Sequence, residues 1–93
     1  MTSNRVFQFL KEKFPKVSSV TVDTLNFGVV TLTRDEAIAC AMASIDVDEN
    51  VTFVDDGGDQ ICVEFNKGII TVMRREVEVD GRYTEFEKGR IRL

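Results

Sequence analysis

Carboxylate side chains are concentrated in one short stretch, "DVDENVTFVDDGGD", which begins at Asp46 and contains six acidic and no basic residues. Carboxylate oxygens at this density suit either a calcium ion or a cationic partner protein. The spacing of Asp46, Asp48 and Asn50 matches the first three ligand positions of an EF-hand loop. However, Val51 stands where that loop needs glycine, and Gly57 stands where it needs a bidentate glutamate. The sequence therefore does not predict an EF-hand, and we expect no metal site.

The two halves of this stretch are too far apart to share one ion. Residues 51–55 are typical of an extended strand, which at about 3.3 Å per residue separates Asp48 from Asp56 by more than ~20 Å. Bonds of about 2.4 Å cannot bridge that distance. The simplest interpretation is a capped turn in the first half and a hairpin turn at residues 55–59, in which glycine supplies a positive φ. Weak calcium binding at either turn stays an open alternative.

Charge is unevenly distributed along the chain. Residues 35–66 contain nine acidic and no basic residues, whereas residues 1–34 and 67–93 are each net positive, and the whole chain carries −4. Such a segment creates a negative potential that attracts cationic partners and weakens with salt. We therefore expect a non-enzymatic protein-interaction module, in its most specific form a small acidic inhibitor or regulator that binds the basic, nucleic-acid-binding surface of a partner protein. The residues expected to bind that partner are Asp46, Asp48, Glu49, Asp55, Asp56 and Asp59.

A second hypothesis starts from the basic residues near the end of the chain. Arginine and aromatic side chains on one hairpin can bind phosphates and stack on bases. The candidates for nucleic-acid binding are Arg74, Arg75, Tyr83, Arg90 and Arg92. Four glutamates, at positions 76, 78, 85 and 87, are interleaved with them, and we expect cross-strand charge pairs to occupy most of the arginines. Nucleic-acid binding is therefore the less favoured hypothesis.

The residue types present disfavour catalysis. The chain has no histidine, which removes Ser-His-Asp and Cys-His catalysis and most zinc sites. Cys40 lies in mid-helix without a base or a helix N-terminus to activate it. The stretch "DDGGDQ" lacks the lysine and the following helix of a phosphate-binding loop. We expect a protein that is not an enzyme and that uses no cofactor.

Ninety-three residues allow one domain, residues 1–93, and two helices are predicted in it. The first spans residues 4–14, with Ser3 as N-cap and Pro15 preventing continuation. Its apolar face consists of Val6, Phe7, Phe9, Leu10 and Phe14. The second helix begins with a capping box formed by Thr33 and Glu36 and runs to Ile45.

Strands are predicted before and after the second helix. Two short strands flank the turn Asn26-Phe27-Gly28, and further strands cover residues 51–55, 60–65, 69–79 and 82 onward. Asp80-Gly81 predicts a two-residue type I′ hairpin, with Val77 opposite Thr84 and Arg75 opposite Phe86, and Gly89 is a candidate bulge. The fold class is α+β: two helices packed on a mainly antiparallel sheet of four to six strands, in the order α-β-β-α-β-β-β-β. The alternative topology pairs "VVTLT" with "VTFVD" in parallel.

The second helix is apolar on both sides. Ile38, Ala41, Met42 and Ile45 line one face, and the small residues Ala39, Cys40 and Ala43 line the other. Either the first helix or a partner covers this second face. A homodimer through this face or through an uncovered edge strand is therefore a third functional hypothesis.

The cysteines and the hydropathy pattern bear on localisation. Cys40 and Cys62 lie in apolar stretches without paired spacing, so we expect free thiols in a reducing cytoplasm, while a bridge between them stays open. The longest apolar run, residues 37–43, is far shorter than a bilayer span. We expect a cytoplasmic protein without membrane association.

Overall fold

The computed structural model describes residues 4–93. Two helices and six strands follow the predicted order: α1 (Asn4–Lys13), β1 (Ser19–Thr24), β2 (Gly28–Thr33), α2 (Arg34–Asp46), β3 (Val51–Asp55), β4 (Gln60–Asn66), β5 (Ile69–Val77) and β6 (Tyr83–Arg92). The α+β class and the element order are confirmed. The proposed N-cap Ser3 lies outside the described residues.

The six strands form one antiparallel sheet in the order β2-β1-β3-β4-β5-β6. β3 pairs with β1, with Val20 opposite Asp55 and Thr21 opposite Val54. β2 therefore lies at one edge and β6 at the other, and the alternative parallel pairing of β2 with β3 is wrong. The strand beside β3 is β1, not β2. The hairpin with β2 uses one side of β1 and leaves its other side free to pair with β3.

Both helices pack on the same face of the sheet. The face of α1 predicted to be apolar contributes Val6, Leu10 and Phe14 to the core, while Phe7 and Phe9 are half-buried at its border. The ring of Phe14 packs edge-to-face on Phe53, with centroids 5.6 Å apart. Burial of each large side chain in this layer contributes about 1.5–3 kcal/mol.

The C-terminus of α1 is held by α2 through Arg34. Its Nε donates to the Pro15 carbonyl at 2.9 Å, and its Nη2 donates to the carbonyls of Lys11 and Phe14, each at 2.7 Å. The last carbonyls of a helix have no partner within the helix, so these bonds replace a C-cap. Arg34 therefore connects the start of α2 to the C-terminal end of α1.

The other face of the sheet has no helix over it among the described residues. Thr52, Cys62 and Met73 are neighbours across three strands on this face. Cys62 is only 5% exposed, because its neighbours cover its short side chain. Cys40 lies on α2, on the other side of the sheet, and both thiols are free.

The hairpin between β5 and β6 differs from the prediction by one residue. Its loop has three residues, Val79–Gly81: Glu78 N–H donates to the Arg82 carbonyl at 2.7 Å, and Gly81 N–H donates to the Glu78 carbonyl at 3.0 Å. Gly81 adopts φ +87°, which supplies the left-handed residue that a three-residue loop requires. Arg75 therefore lies opposite Glu85 rather than Phe86, and Val77 lies opposite Tyr83 rather than Thr84. The predicted type I′ turn and its register are wrong.

A bulge interrupts the pairing of β5 with β6. Val72 pairs with Gly89 and Met73 pairs with Glu87, which leaves Lys88 unpaired. The bulge predicted at Gly89 therefore falls on the neighbouring residue. A Cβ at Gly89 would lie 2.9 Å from Cδ of Lys13. The side chain of Lys13, on α1, therefore passes over the bulge, and the glycine leaves room for it.

The helices have 10 and 13 residues. Across residues 4–93, no helix has the length and apolar character needed to span a bilayer.

Candidate interaction surface

The α2 helix directs its negative end toward one end of the sheet. Thr33 and Glu36 form the predicted capping box: Glu36 N–H donates to Oγ1 of Thr33 at 3.2 Å, and Thr33 N–H donates to Oε1 of Glu36 at 2.8 Å. Hydrogen bonding of the Glu36 carboxylate to Thr33, first of all to its backbone N–H, lowers the pKa of this carboxyl. At the other terminus the last turn contains no basic residue, so no side chain of α2 itself compensates the partial negative charge of the helix C-terminus.

Three of the predicted partner-binding residues lie at that C-terminus. Asp46 ends α2, and Asp48 and Glu49 follow in the loop to β3. The loop backbone is fixed, since Asp48 N–H donates to the Ile45 carbonyl at 3.1 Å and Glu49 N–H donates to the Ser44 carbonyl at 2.8 Å. Asp48 has φ +57°, a conformation that aspartate and asparagine tolerate better than most residues. We call Asp46, Asp48 and Glu49 the acidic end.

Exposed apolar side chains lie at the same end of the sheet. Because β1 and β3 are antiparallel, the β1–β2 turn and the loop before β3 are at one end. Leu25 is 100% exposed, Phe27 is 82% exposed, and Val47 beside the acidic loop is 63% exposed. The turn is ordered by Thr24, whose Oγ1 donates to the Gly28 carbonyl at 2.7 Å and accepts from Phe27 N–H at 3.1 Å. We call Leu25, Phe27 and Val47 the apolar tip.

One cation lies close to the acidic end. Lys67, in the β4–β5 turn, lines a shallow depression of about 310 Å³ together with Asp48, Phe65 and Asn66. Asn50 connects the same region, since its Oδ1 accepts from Phe65 N–H at 2.8 Å. Lys67, Asn50 and Phe65 therefore border the acidic end on the side of β4.

The other three predicted partner-binding residues lie at the opposite end of β3. Nη2 of Arg74 lies 2.9 Å from Oδ2 of Asp55 and 3.0 Å from Oδ2 of Asp59. Oδ1 of Asp55 also accepts from the N–H groups of Gly57 and Asp59, both at 3.0 Å. Asp55 and Asp59 thus hold the β3–β4 turn together, while Asp56 is exposed. The six carboxylates do not form one continuous surface.

The arginines of the nucleic-acid hypothesis are largely engaged in ion pairs. Nη2 of Arg75 lies 2.7 Å from Glu85 Oε1, and this bond raises the pKa of the guanidinium, which also lies 4.7 Å from the centroid of the Tyr83 ring. Arg90 binds Glu87, and Arg74 binds Asp55 and Asp59. The backbone carbonyl of Arg92 accepts from Arg5. The predicted cross-strand pairing is confirmed for Arg75, and phosphate would have to compete with these carboxylates.

Metal binding and the reactivity of the Cys40 thiol are the two properties of the described residues that bear on catalysis. Within residues 4–93, no three cysteine, aspartate or glutamate side chains are grouped so that they could hold a metal ion. Burial raises the pKa of the Cys40 thiol, which disfavours the nucleophilic thiolate.

The sequence interpretation identified the acidic end but assigned no role to the apolar tip. The sequence does contain an indication of this surface. Leu25 and Phe27 are large apolar residues at a predicted turn, where side chains are not easily buried. No family model, curated protein or solved structure matches the chain.

Proposed function

We propose that this protein is a non-enzymatic interaction module that binds a basic partner protein through its acidic end. One observation carries the proposal: three carboxylates at the C-terminus of α2 lie at the same end of the sheet as the exposed apolar tip. A cationic and partly apolar surface is the complement of this arrangement.

Electrostatics support a basic partner. The acidic end combines three carboxylates with the partial negative charge of the α2 terminus, in a segment of 32 residues that has no lysine or arginine. Fields of this kind raise the association rate with cationic proteins and are screened by salt. An inhibitor of a nucleic-acid-binding protein is the specific form of the proposal, because such partners carry basic surfaces.

The apolar tip would supply the part of the binding energy that charge does not. Protein interfaces combine an apolar, often aromatic centre with a polar rim. Phe27 is 82% exposed and lies in a turn fixed by Thr24, so little ordering is needed when it is covered. Leu25 and Val47 are further exposed apolar side chains at this end of the sheet.

Capture experiments with matched variants test the proposal. The immobilised protein is exposed to a lysate at about 50 mM and about 500 mM NaCl, a range over which exposed charges become strongly screened. The test variant is Asp46→Asn with Asp48→Asn and Glu49→Gln. The control variant is Glu12→Gln with Glu76→Gln and Glu78→Gln, which changes the net charge equally at other exposed positions.

We expect a defined protein to be retained at low salt by the wild type and by the control variant but not by the test variant. Leu25→Ser with Phe27→Ser should also reduce its retention. Equal retention by the test variant, or equal loss with both triple variants, would show that the acidic end does not determine binding.

A further inference from the structure

The two edge strands of the sheet differ in how they are protected against pairing with another chain. β6 carries charged residues along its length and contains the bulge at Lys88. Both features discourage strand addition. β2, with the sequence Gly-Val-Val-Thr-Leu-Thr, has no charge and no proline, and it pairs with β1 in an uninterrupted register. The backbone edge of β2 is therefore open to a further strand.

A second unpartnered feature lies above the same edge. α1 packs on one side of α2, where Phe7, Lys11, Asp35 and Ile38 line the cleft between the helices. On the opposite side of α2, Cys40, Ala43 and Val47 follow at helical spacing. Ala43 is exposed, and Cys40 is half-buried. The first helix therefore does not cover this side.

The position of the helices places this side of α2 toward β2. α1 contacts β6, whereas α2 contacts β2. The side of α2 that faces away from α1 consequently lies over the edge formed by β2. The small side chains of Cys40 and Ala43 would allow another helix to approach closely at this place.

We propose that a second copy of this chain covers both features by pairing β2 with β2 in antiparallel orientation about a two-fold axis. An axis perpendicular to the sheet leaves the helices of both copies on the same side of a joined sheet of twelve strands, twice the six of one copy. α2 of one copy then lies beside α2 of the other, with Cys40 and Ala43 between them. One symmetry operation accounts for both the open strand and the uncovered helix side.

The composition of β2 permits this pairing, and a second copy covers more of the molecule than an unrelated strand does. β2 has no charge, so two copies can approach at the axis without like-charge repulsion. The acidic end lies beside the start of β2, and antiparallel pairing places the two acidic ends at opposite ends of the dimer. An unrelated strand would pair with β2 but would not bring an apolar group over Cys40 and Ala43.

Sedimentation and light scattering over a range of concentrations test the proposal. Thr31 and Thr84 are exposed residues on the two edge strands, β2 and β6. We expect the wild type to dimerise, Thr31→Lys to weaken the dimer at least about tenfold through like charges at the axis, and Thr84→Lys to leave it unchanged. Circular dichroism checks that both variants keep their secondary structure.

Hydrogen exchange provides a readout that does not depend on a variant folding. In the wild type, amides of β2 should become protected as concentration rises, while those of β6 should not. A wild type that is monomeric at about 1 mM, where even a millimolar dimer would be well populated, overturns the proposal. A dimer that Thr31→Lys does not weaken, or whose β2 amides gain no protection, overturns it as well.

Discussion

The guanidinium of Arg74 on β5 lies 2.9 Å from the carboxylate of Asp55 at the end of β3. These residues belong to the two surfaces that the sequence presents as competing binding sites, one acidic and one basic. The Asp55 side chain is 8% exposed and that of Arg74 is 21% exposed, so the pair is largely removed from water. The charges of these two residues therefore neutralise each other, and the pair stabilises the turn between β3 and β4.

Removing the cation from this pair should destabilise the fold. In Arg74→Met the aliphatic part of the side chain is kept, but the Asp55 carboxylate remains largely buried without a countercharge. We expect a loss of about 2–3 kcal/mol in the free energy of unfolding, measured by urea denaturation. Arg82→Met is the control, because the Arg82–Asp80 pair is exposed and should contribute less than about 0.5 kcal/mol.

A double variant separates the charge from the geometry of the turn. Asparagine at position 55 keeps an oxygen that accepts from the N–H groups of Gly57 and Asp59 but carries no charge. Asp55→Asn combined with Arg74→Met should therefore be more stable than Arg74→Met alone. Equal stability of the two variants would show that the loss does not come from an uncompensated carboxylate.

Arg34 should be needed for the attachment of α1. Its guanidinium donates to three carbonyls at the end of that helix, which an alanine cannot do. We expect Arg34→Ala to reduce the free energy of unfolding by about 1–3 kcal/mol, with faster amide exchange in α1. Arg34→Lys should recover less than half of the loss, since a single ammonium group cannot reproduce the planar fork. Full recovery by lysine would indicate that charge alone matters.

The capping box should make α2 sensitive to acid. The pKa of Glu36 is lowered from its ordinary value of 4.5 in the folded protein, because the carboxylate accepts from Thr33 N–H. Its contribution to stability is therefore present above pH 4.5 and is lost as the pH falls through the lowered pKa. Glu36→Gln keeps an accepting oxygen without titrating, so its unfolding free energy should depend less on pH in this range. Glu12→Gln controls for the loss of one exposed carboxylate.

The elements of the fold were predictable because each has a strong local signal. Val6, Leu10 and Phe14 at helical spacing, and the capping box at Thr33, determine the two helices without reference to the rest of the chain. The β5–β6 register was not predictable in this way. Asp80-Gly81 suits both a two-residue loop and a three-residue loop, and the choice between them depends on pairing along the whole of both strands.

The candidate site could be predicted only in part, because distance along the chain is a poor guide to distance in space. Asp48 and Asp55 are seven positions apart, but β3 places them at opposite ends of the sheet. Conversely, Leu25 and Val47 are distant in sequence and lie at the same end. The partner of Asp55, Arg74, comes from a strand two positions away in the sheet, and no short-range pattern identifies such a pair.

The bulge at Lys88 has a consequence for stoichiometry. A sheet with two open edges can add copies at both sides without limit, and the product is a fibre. When one edge is blocked by a bulge and by charged side chains, addition at the other edge leaves no site for a third copy. The irregularity in β6 therefore disfavours the addition of strands at that edge, so we expect no fibre to form by edge-to-edge growth of this sheet.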